Sequence, residues 1–305
     1  MKYNLITILG PTATGKTKLA ANLAKQLNCE IISADSRQVY RGMDIGTGKD
    51  YADYFVDDQI MPYHLVDIAD IGYKYNVFEF QRDFNQIYDD IISKVKTPIL
   101  CGGTGLYIES VVKAYRLLNV PQNAELRDQI ASKNLKELVS MLTSMKKVHN
   151  TSDLTDKERL IRAIEIQIYY QNNPDATTQA PEIHSLNVGL IAERFIIRKL
   201  ISERLKLRLE NGLITEIEHL LGSGILPETL IFYGLEYKYV TLFVTGQMSY
   251  DEMFAKLEIA IHQFSKRQMT WFRKMERNGV EIHWLDCKIP TDEKIKQIIN
   301  WLNNV

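Results

Sequence analysis

The apolar run Leu5-Ile6-Thr7-Ile8-Leu9, the loop Gly10-Pro11-Thr12-Ala13-Thr14-Gly15-Lys16-Thr17 and a segment carrying Ala20, Leu23, Ala24 and Leu27 follow one another directly. The first is of strand length. The last repeats at i, i+3, i+4 and i+7, one face of a helix. Strand, G-x-x-x-x-G-K-T loop and helix in that order predict the entry to a parallel sheet of the P-loop NTPase type, flanked by helices. Gly10 and Gly15 permit the turns that point N–H groups inward, and the helix start adds the positive end of its dipole. Lys16 supplies a point charge, and the Thr17 hydroxyl can ligate Mg²⁺. The loop therefore selects a polyphosphate, without saying which one or what becomes of it.

The chain has 305 residues, enough for one large or two medium domains. Its formal net charge is −1, so no global field attracts nucleic acid and any RNA contact must be local. Cys29, Cys101 and Cys287 are scattered without metal-ligand spacing, which suits a reduced cytoplasmic setting. No basic leader precedes a long apolar stretch, and no segment is long enough for a bilayer, so a cytoplasmic protein without membrane contact is expected.

Cys29 to Ala34 reads as a second strand that delivers Asp35 beside the phosphate loop, where open α/β sheets bind ligands. Gly42 to Lys49 is a loop, Met61 to Asp67 a short strand, and Phe78 to Ile92 a helix with Phe80, Phe84, Ile87 and Ile91 in step. Pro98 to Cys101 is a third strand. A Walker B strand would end there in Asp, whereas this one ends in Gly102-Gly103-Thr104-Gly105. No glycine occurs from Leu106 to Val188, and the apolar residues between repeat at helical intervals. An all-helical insertion is expected over 115–185, inside a core made of 1–114 and 186–305. Asn172-Asn173-Pro174 to Pro181 marks a loop at its far end. Ser185 to Ile191 returns to the sheet, Lys199 to Glu210 and Asp251 to Arg277 are helices, and Glu281 to Leu285 is a last strand.

Several side chains invite chemistry. Asp35 suits a general base, a metal ligand or a helix cap. Thr104, among glycines, suits a donor to a leaving oxygen or a plain turn. Arg204 and Arg208 share a helix face and suit a bidentate phosphate clamp or a solvated pair. Arg159 and Arg162 lie off the apolar stripe of their helix. The run Ser265 to Lys274 mixes cations with aromatics, a composition for RNA phosphates and bases or for a charged helix end. His64 reads as a packed residue.

Together these segments resemble the tRNA dimethylallyltransferase (tRNA isopentenyltransferase) family of the bacterial type. The resemblance rests on the phosphate loop and on Asp35-Ser36-Arg37-Gln38-Val39-Tyr40-Arg41-Gly42-Met43-Asp44-Ile45-Gly46-Thr47. It extends through Pro62 to Asp67, Gly102 to Tyr107, Arg159-Leu160-Ile161-Arg162-Ala163-Ile164-Glu165 and Lys266 to Arg273. It implies transfer of a dimethylallyl group from dimethylallyl diphosphate to the N6 amine of the adenine 3′ of the anticodon, in tRNAs reading codons that start with U. Gly10 to Thr17 and Arg208 would hold diphosphate, with Arg204 beside it, and Mg²⁺ would sit at Thr17. Asp35 would be the base, and Thr104 would meet the bridging oxygen. Ser36, Arg37, Gln38, Arg127, Arg159 to Ala163, Lys266 and Arg267 would contact the anticodon stem–loop of a tRNA bound by a monomer. Two stretches depart from the family pattern: Tyr233-Gly234-Leu235-Glu236-Tyr237-Lys238 in place of Gly-Tyr-Lys-Glu, and Ile261-His262-Gln263-Phe264 in place of Thr-Arg-Gln-Tyr-like residues. The competing class is a P-loop kinase or ATPase acting on a small molecule, which leaves Gly102 to Thr104 and the basic-aromatic run unexplained. A third is an RNA-binding protein with a decayed phosphate site, which intact Lys16, Thr17 and Asp35 oppose.

Overall fold

The structure, a computed structural model, describes residues 2–94, 96–145, 154–174 and 180–303. They form two units, Met1–Tyr115 with Pro181–Val305, and Arg116–Ala180. The first unit begins β1 (Leu5–Leu9), α1 (Lys16–Leu27), β2 (Ile31–Ala34), a 3-10 turn (Tyr51–Tyr54), β3 (Phe55–Val56), β4 (Gln59–Ile60), β5 (Tyr63–His64), α2 (Val77–Ser93), β6 (Ile99–Gly102) and α3 (Gly105–Val112). The second unit holds α4 (Ala124–Ile130), α5 (Leu135–Met145) and α6 (Lys157–Asn172). The first unit resumes with β7 (Ser185–Ile191), α7 (Arg194–Glu210), α8 (Leu213–Gly222), α9 (Pro227–Phe232), α10 (Leu235–Val244), α11 (Tyr250–Arg277), β8 (His283–Asp286) and α12 (Thr291–Asn303). The loop expected to end the insertion has residues 175–179 outside the described ones.

The six-stranded sheet runs β5-β2-β6-β1-β7-β8, all parallel. Both of its faces are covered, so β1, β2, β6 and β7 are mainly apolar, with Thr7, Ser33 and Asn187 as buried polar exceptions. Along β1, Ile6 and Ile8 join the core under α1 and α12, while Leu5 and Leu9 join the core under α2, α3 and α11. A further core gathers α7 to α11. Register aligns the strand ends that matter: Gly102 of β6 pairs with Leu9 of β1 on one side and Ala34 of β2 on the other. Gly10, Asp35 and Gly103 therefore leave the sheet at one level. At about 4.8 Å per strand, β1 and β2 lie about 10 Å apart with β6 between.

The strand expected from Met61 to Asp67 is reduced to Tyr63–His64, because Leu65 (φ 60°) and Asp67 (φ 56°) enter the left-handed region, which ends an extended run. The last strand starts two residues and ends one residue later than expected. The second unit packs Leu126, Ile130, Leu138, Leu142, Leu160, Ile161 and Ile164 into its own core.

Candidate functional site

The phosphate loop is bent by Gly10 (φ 146°), Ala13 (φ 65°) and Gly15 (φ 76°). Thr14 Oγ1 and Lys16 Nζ both donate to the Pro11 carbonyl, at 2.9 and 2.7 Å, so the lysine lies folded against the loop. Burial lowers the Lys16 ammonium to about 8; Cys101 and Asp35 oppose the shift and Arg204 adds to it. A residue not singled out from sequence completes the loop. Gln268 of α11, 8 % exposed, accepts from Thr12 N–H at 2.9 Å and donates to the Gly103 carbonyl at 2.9 Å. One amide thus ties the end of β1 to the end of β6. A Cβ on Gly103 would come within 2.5 Å of that amide nitrogen, so any larger residue here would displace the Gln268 amide.

Asp35 and Thr104 stand on adjacent strand ends. Asp35 Oδ1 accepts Arg37 N–H at 2.8 Å, an Asx turn that fixes the carboxylate. Thr104 Oγ1 accepts Ser36 N–H at 3.0 Å, and Thr104 N–H donates to the Ala34 carbonyl at 3.1 Å. Because its oxygen already accepts, the Thr104 hydroxyl is left to donate its proton; in the protein it has only Ser36 Oγ at 3.4 Å. Ser36 and Gln38 bracket Arg37, and Gln38 donates to the Gly48 carbonyl at 2.9 Å.

Arg204 and Arg208 are not a solvated pair. Arg208 is 8 % exposed, and burial with the neighbouring Arg208 charge lowers Arg204 to about 10. Arg208 Nε and one terminal nitrogen are buried without a hydrogen-bond partner, and its nearest carboxylates, Asp50 and Glu236, stand 3.7 Å away. Gly48 (φ 72°) makes the room, since a Cβ there would lie 1.9 Å from Arg208 and 2.6 Å from Arg204. Two crowded guanidiniums, with unmet donors on Arg208, suit a polyanion. They line one small cavity with Thr12, Ala13, Glu236 and Ile261. Both departures from the family pattern thus reach the phosphate loop. The remaining odd residue, Tyr237, donates to Glu216 at 2.6 Å, and Glu216 accepts the N–H groups of Asp44, Ile45 and Gly46. Buried Lys49, bonded to the Tyr40 carbonyl, Asp44 and Asp67, holds the other side of that loop.

Among the described residues no group of three or more His, Cys, Asp or Glu forms a metal cage. Mg²⁺ needs only one or two protein oxygens beside phosphates and waters. Thr17, in the first turn of α1, fits that requirement. So does Asp53 on the 3-10 turn packed against α1; burial and Asp50 push its carboxyl up, with Lys18 and Arg204 pulling the other way.

The RNA candidates divide. Lys266 and Arg267 are exposed on α11, with Arg267 over the Phe264 ring at 5.9 Å. In the second unit, Arg127 donates to Glu165 from Nε at 2.7 Å and a terminal nitrogen at 2.9 Å, and Arg162 reaches Glu165 and the Val120 carbonyl. These bonds hold the Glu165 carboxyl at about 2 despite its burial. Arg159 is 64 % exposed beside Asp156, and Ala163 is half-buried. Leu160 and Ile161 face inward, 0 % and 6 % exposed, so their side chains pack this unit and do not reach an RNA surface. His64 is partly exposed and bonded to Glu30 at 2.9 Å.

Two family models match, one described as IPP transferase over residues 38–275 and one as isopentenyl transferase over residues 3–58. The chain is 59 % identical over 302 residues to tRNA dimethylallyltransferase 2 of Phocaeicola vulgatus, covering 99 % of this chain and 98 % of the relative. It is 56 % identical to tRNA dimethylallyltransferase 1 of Parabacteroides distasonis over the same shares. The crystal structure of the full-length tRNA isopentenylpyrophosphate transferase of Bacillus halodurans superposes with a TM-score of 0.72 at 32 % identity, covering 99 % of this chain and 96 % of that one.

Proposed function

The chain belongs to the IPP transferase family, and from that premise we propose its reaction in full. It transfers a dimethylallyl group to tRNA. The donor is dimethylallyl diphosphate, and the acceptor is the N6 amine of the adenine 3′ of the anticodon, in tRNAs that read codons starting with U. The observation that carries this reading is that Asp35, Thr104 and the phosphate loop leave the sheet at one level on neighbouring strands, with Thr104 Oγ1 accepting Ser36 N–H and Gln268 spanning Thr12 and Gly103.

The allylic C–O bond breaks as the N6–C bond forms. The electron pair leaves with diphosphate, and the amine proton goes to the Asp35 carboxylate. The barrier lies mainly in charge growing on the departing diphosphate, because the allyl cation is delocalised. Arg204, Arg208 and the helix start at Lys16 stand beside the loop before that charge appears, and Lys16 exchanges the Pro11 carbonyl for a diphosphate oxygen when the donor binds. Thr104 donates to the bridging oxygen. Thr17 and Asp53 would hold Mg²⁺, which supplies further positive charge to the diphosphate oxygens. The adenine leaves its stack at a cost of about a few kcal/mol, least in an unpaired loop. The enzyme acts in the cytoplasm as a monomer; no helix among the described residues is long and apolar enough to cross a membrane.

The test is incubation with an anticodon stem–loop and labelled dimethylallyl diphosphate, and separately with ATP. One prenyl mass on one loop adenine is expected. ATP hydrolysis or phosphoryl transfer with unmodified RNA would overturn the reading. Asp35→Asn keeps the acceptor for Arg37 N–H but removes the base. It should lower kcat about 10²–10⁴-fold with RNA affinity little changed, and near-normal turnover would remove the assignment.

A further inference from the structure

On the reading above, the RNA must present its target adenine at Asp35 with the neighbouring bases unstacked. Phe232, the last residue of α9, is 54 % exposed in the same unit. The Arg37 guanidinium lies over its ring, 5.6 Å from the centroid. The phenyl ring meets Tyr233 edge-on at 5.5 Å, and Tyr233, 2 % exposed, meets Tyr40 at 4.5 Å and accepts Gly72 N–H. Phe232 is thus anchored through edge-on contacts to buried tyrosines while much of its own surface faces solvent. Arg37 is anchored by its N–H bond to Asp35. Only Ser36 separates Arg37 from Asp35, so their Cα atoms are at most about 7 Å apart.

We infer that Phe232 and Arg37 form a stacking platform for a nucleotide adjacent to the target adenine. An unstacked base lies against the phenyl and guanidinium planes, a mode open to any base because each has a π-face. Lys266 and Arg267 answer the RNA backbone; Phe232 answers a base. The platform holds the flanking nucleotide once the adenine has turned out of the stack.

The test uses the full chain and stem–loops carrying 2-aminopurine on either side of the target adenine. Wild-type protein should quench one of the two positions on binding. Phe232→Ala should abolish the quench and raise KM for the RNA about 5- to 100-fold, with KM for the prenyl donor unchanged. Phe232→Trp should restore both, and Phe232→Leu neither. Undiminished quench and unchanged RNA KM in the alanine variant overturn the platform. Equal rescue by leucine and tryptophan also overturns it, since packing alone would then explain the residue. If the alanine variant lacks a cooperative melt, the leucine variant carries the same comparison. Wild-type protein that leaves the stem–loop unprenylated overturns the tRNA reading instead, whatever Phe232 does.

Discussion

The buried Lys16 ammonium should govern how donor capture depends on pH. Its pKa falls to about 8, first because the group is buried, with Arg204 reinforcing and Cys101 and Asp35 resisting. The protonated form is the one that attracts a polyanion. Below about 8 the free enzyme carries that charge, and above it the charge is lost. The value of kcat/KM for the donor should therefore fall by about tenfold per unit as pH rises past about 8. Bound diphosphate favours the ammonium, so kcat at saturating donor should break at a higher pH. Lys16→Arg keeps its charge throughout and should erase the lower break, at whatever cost in fit. A profile for kcat/KM that still breaks near 8 in this variant would assign the titration to another group. The charge itself was readable from the G-K-T motif. Its altered pKa was not, because it depends first on burial beneath the folded chain and then on Cys101 and Arg204, which lie far along the sequence.

Among the elements, α11 shows where local reading stops. Strand, loop and helix at the N-terminus are encoded within a few neighbouring residues, so their pattern was plain. Gln268 sits in a run that reads as cations and aromatics, yet its amide bonds Thr12, 256 positions earlier, and Gly103, 165 positions earlier. No spacing rule reaches so far. The burial of Arg204 and Arg208 was hidden for the same reason: the space for them comes from Gly48 on another loop. Helices α8 to α10 also escaped, and with them the partner of Tyr237. Gln268→Ala strands one donor and one acceptor, costing about 1–3 kcal/mol for each group left unpaired in the interior. Urea unfolding should show a loss of about 2–6 kcal/mol for the two groups together, with little change in slope, and KM for the donor should rise because Thr12 N–H is no longer held. Unchanged stability would mean that water or a shifted loop replaces the amide, and that Gln268 does not join the two loops.

At the scale of the whole molecule, the relevant quantity is charge that nearly cancels. There are 37 Lys and Arg against 38 Asp and Glu, so the protein has no long-range attraction for RNA. Lys266, Arg267, Arg273 and Arg277 are nevertheless exposed on α11. The field of the remaining charges is screened beyond about 8 Å at physiological salt, so RNA close to α11 senses mainly this patch. At about 0.01 M salt the screening length grows to about 30 Å, and the acidic remainder is felt again. Affinity for an anticodon stem–loop should therefore fall with added salt at moderate ionic strength and flatten toward low salt, unlike that of a uniformly basic protein. Each phosphate contact on a single-stranded segment contributes about 0.7 to the slope of log K against log salt. Replacing both Lys266 and Arg267 by Ala should reduce the slope by about 1.4 and leave the donor KM unchanged. If the slope stays the same, the phosphates are met elsewhere, and the exposed end of α11 is only a solvated helix surface.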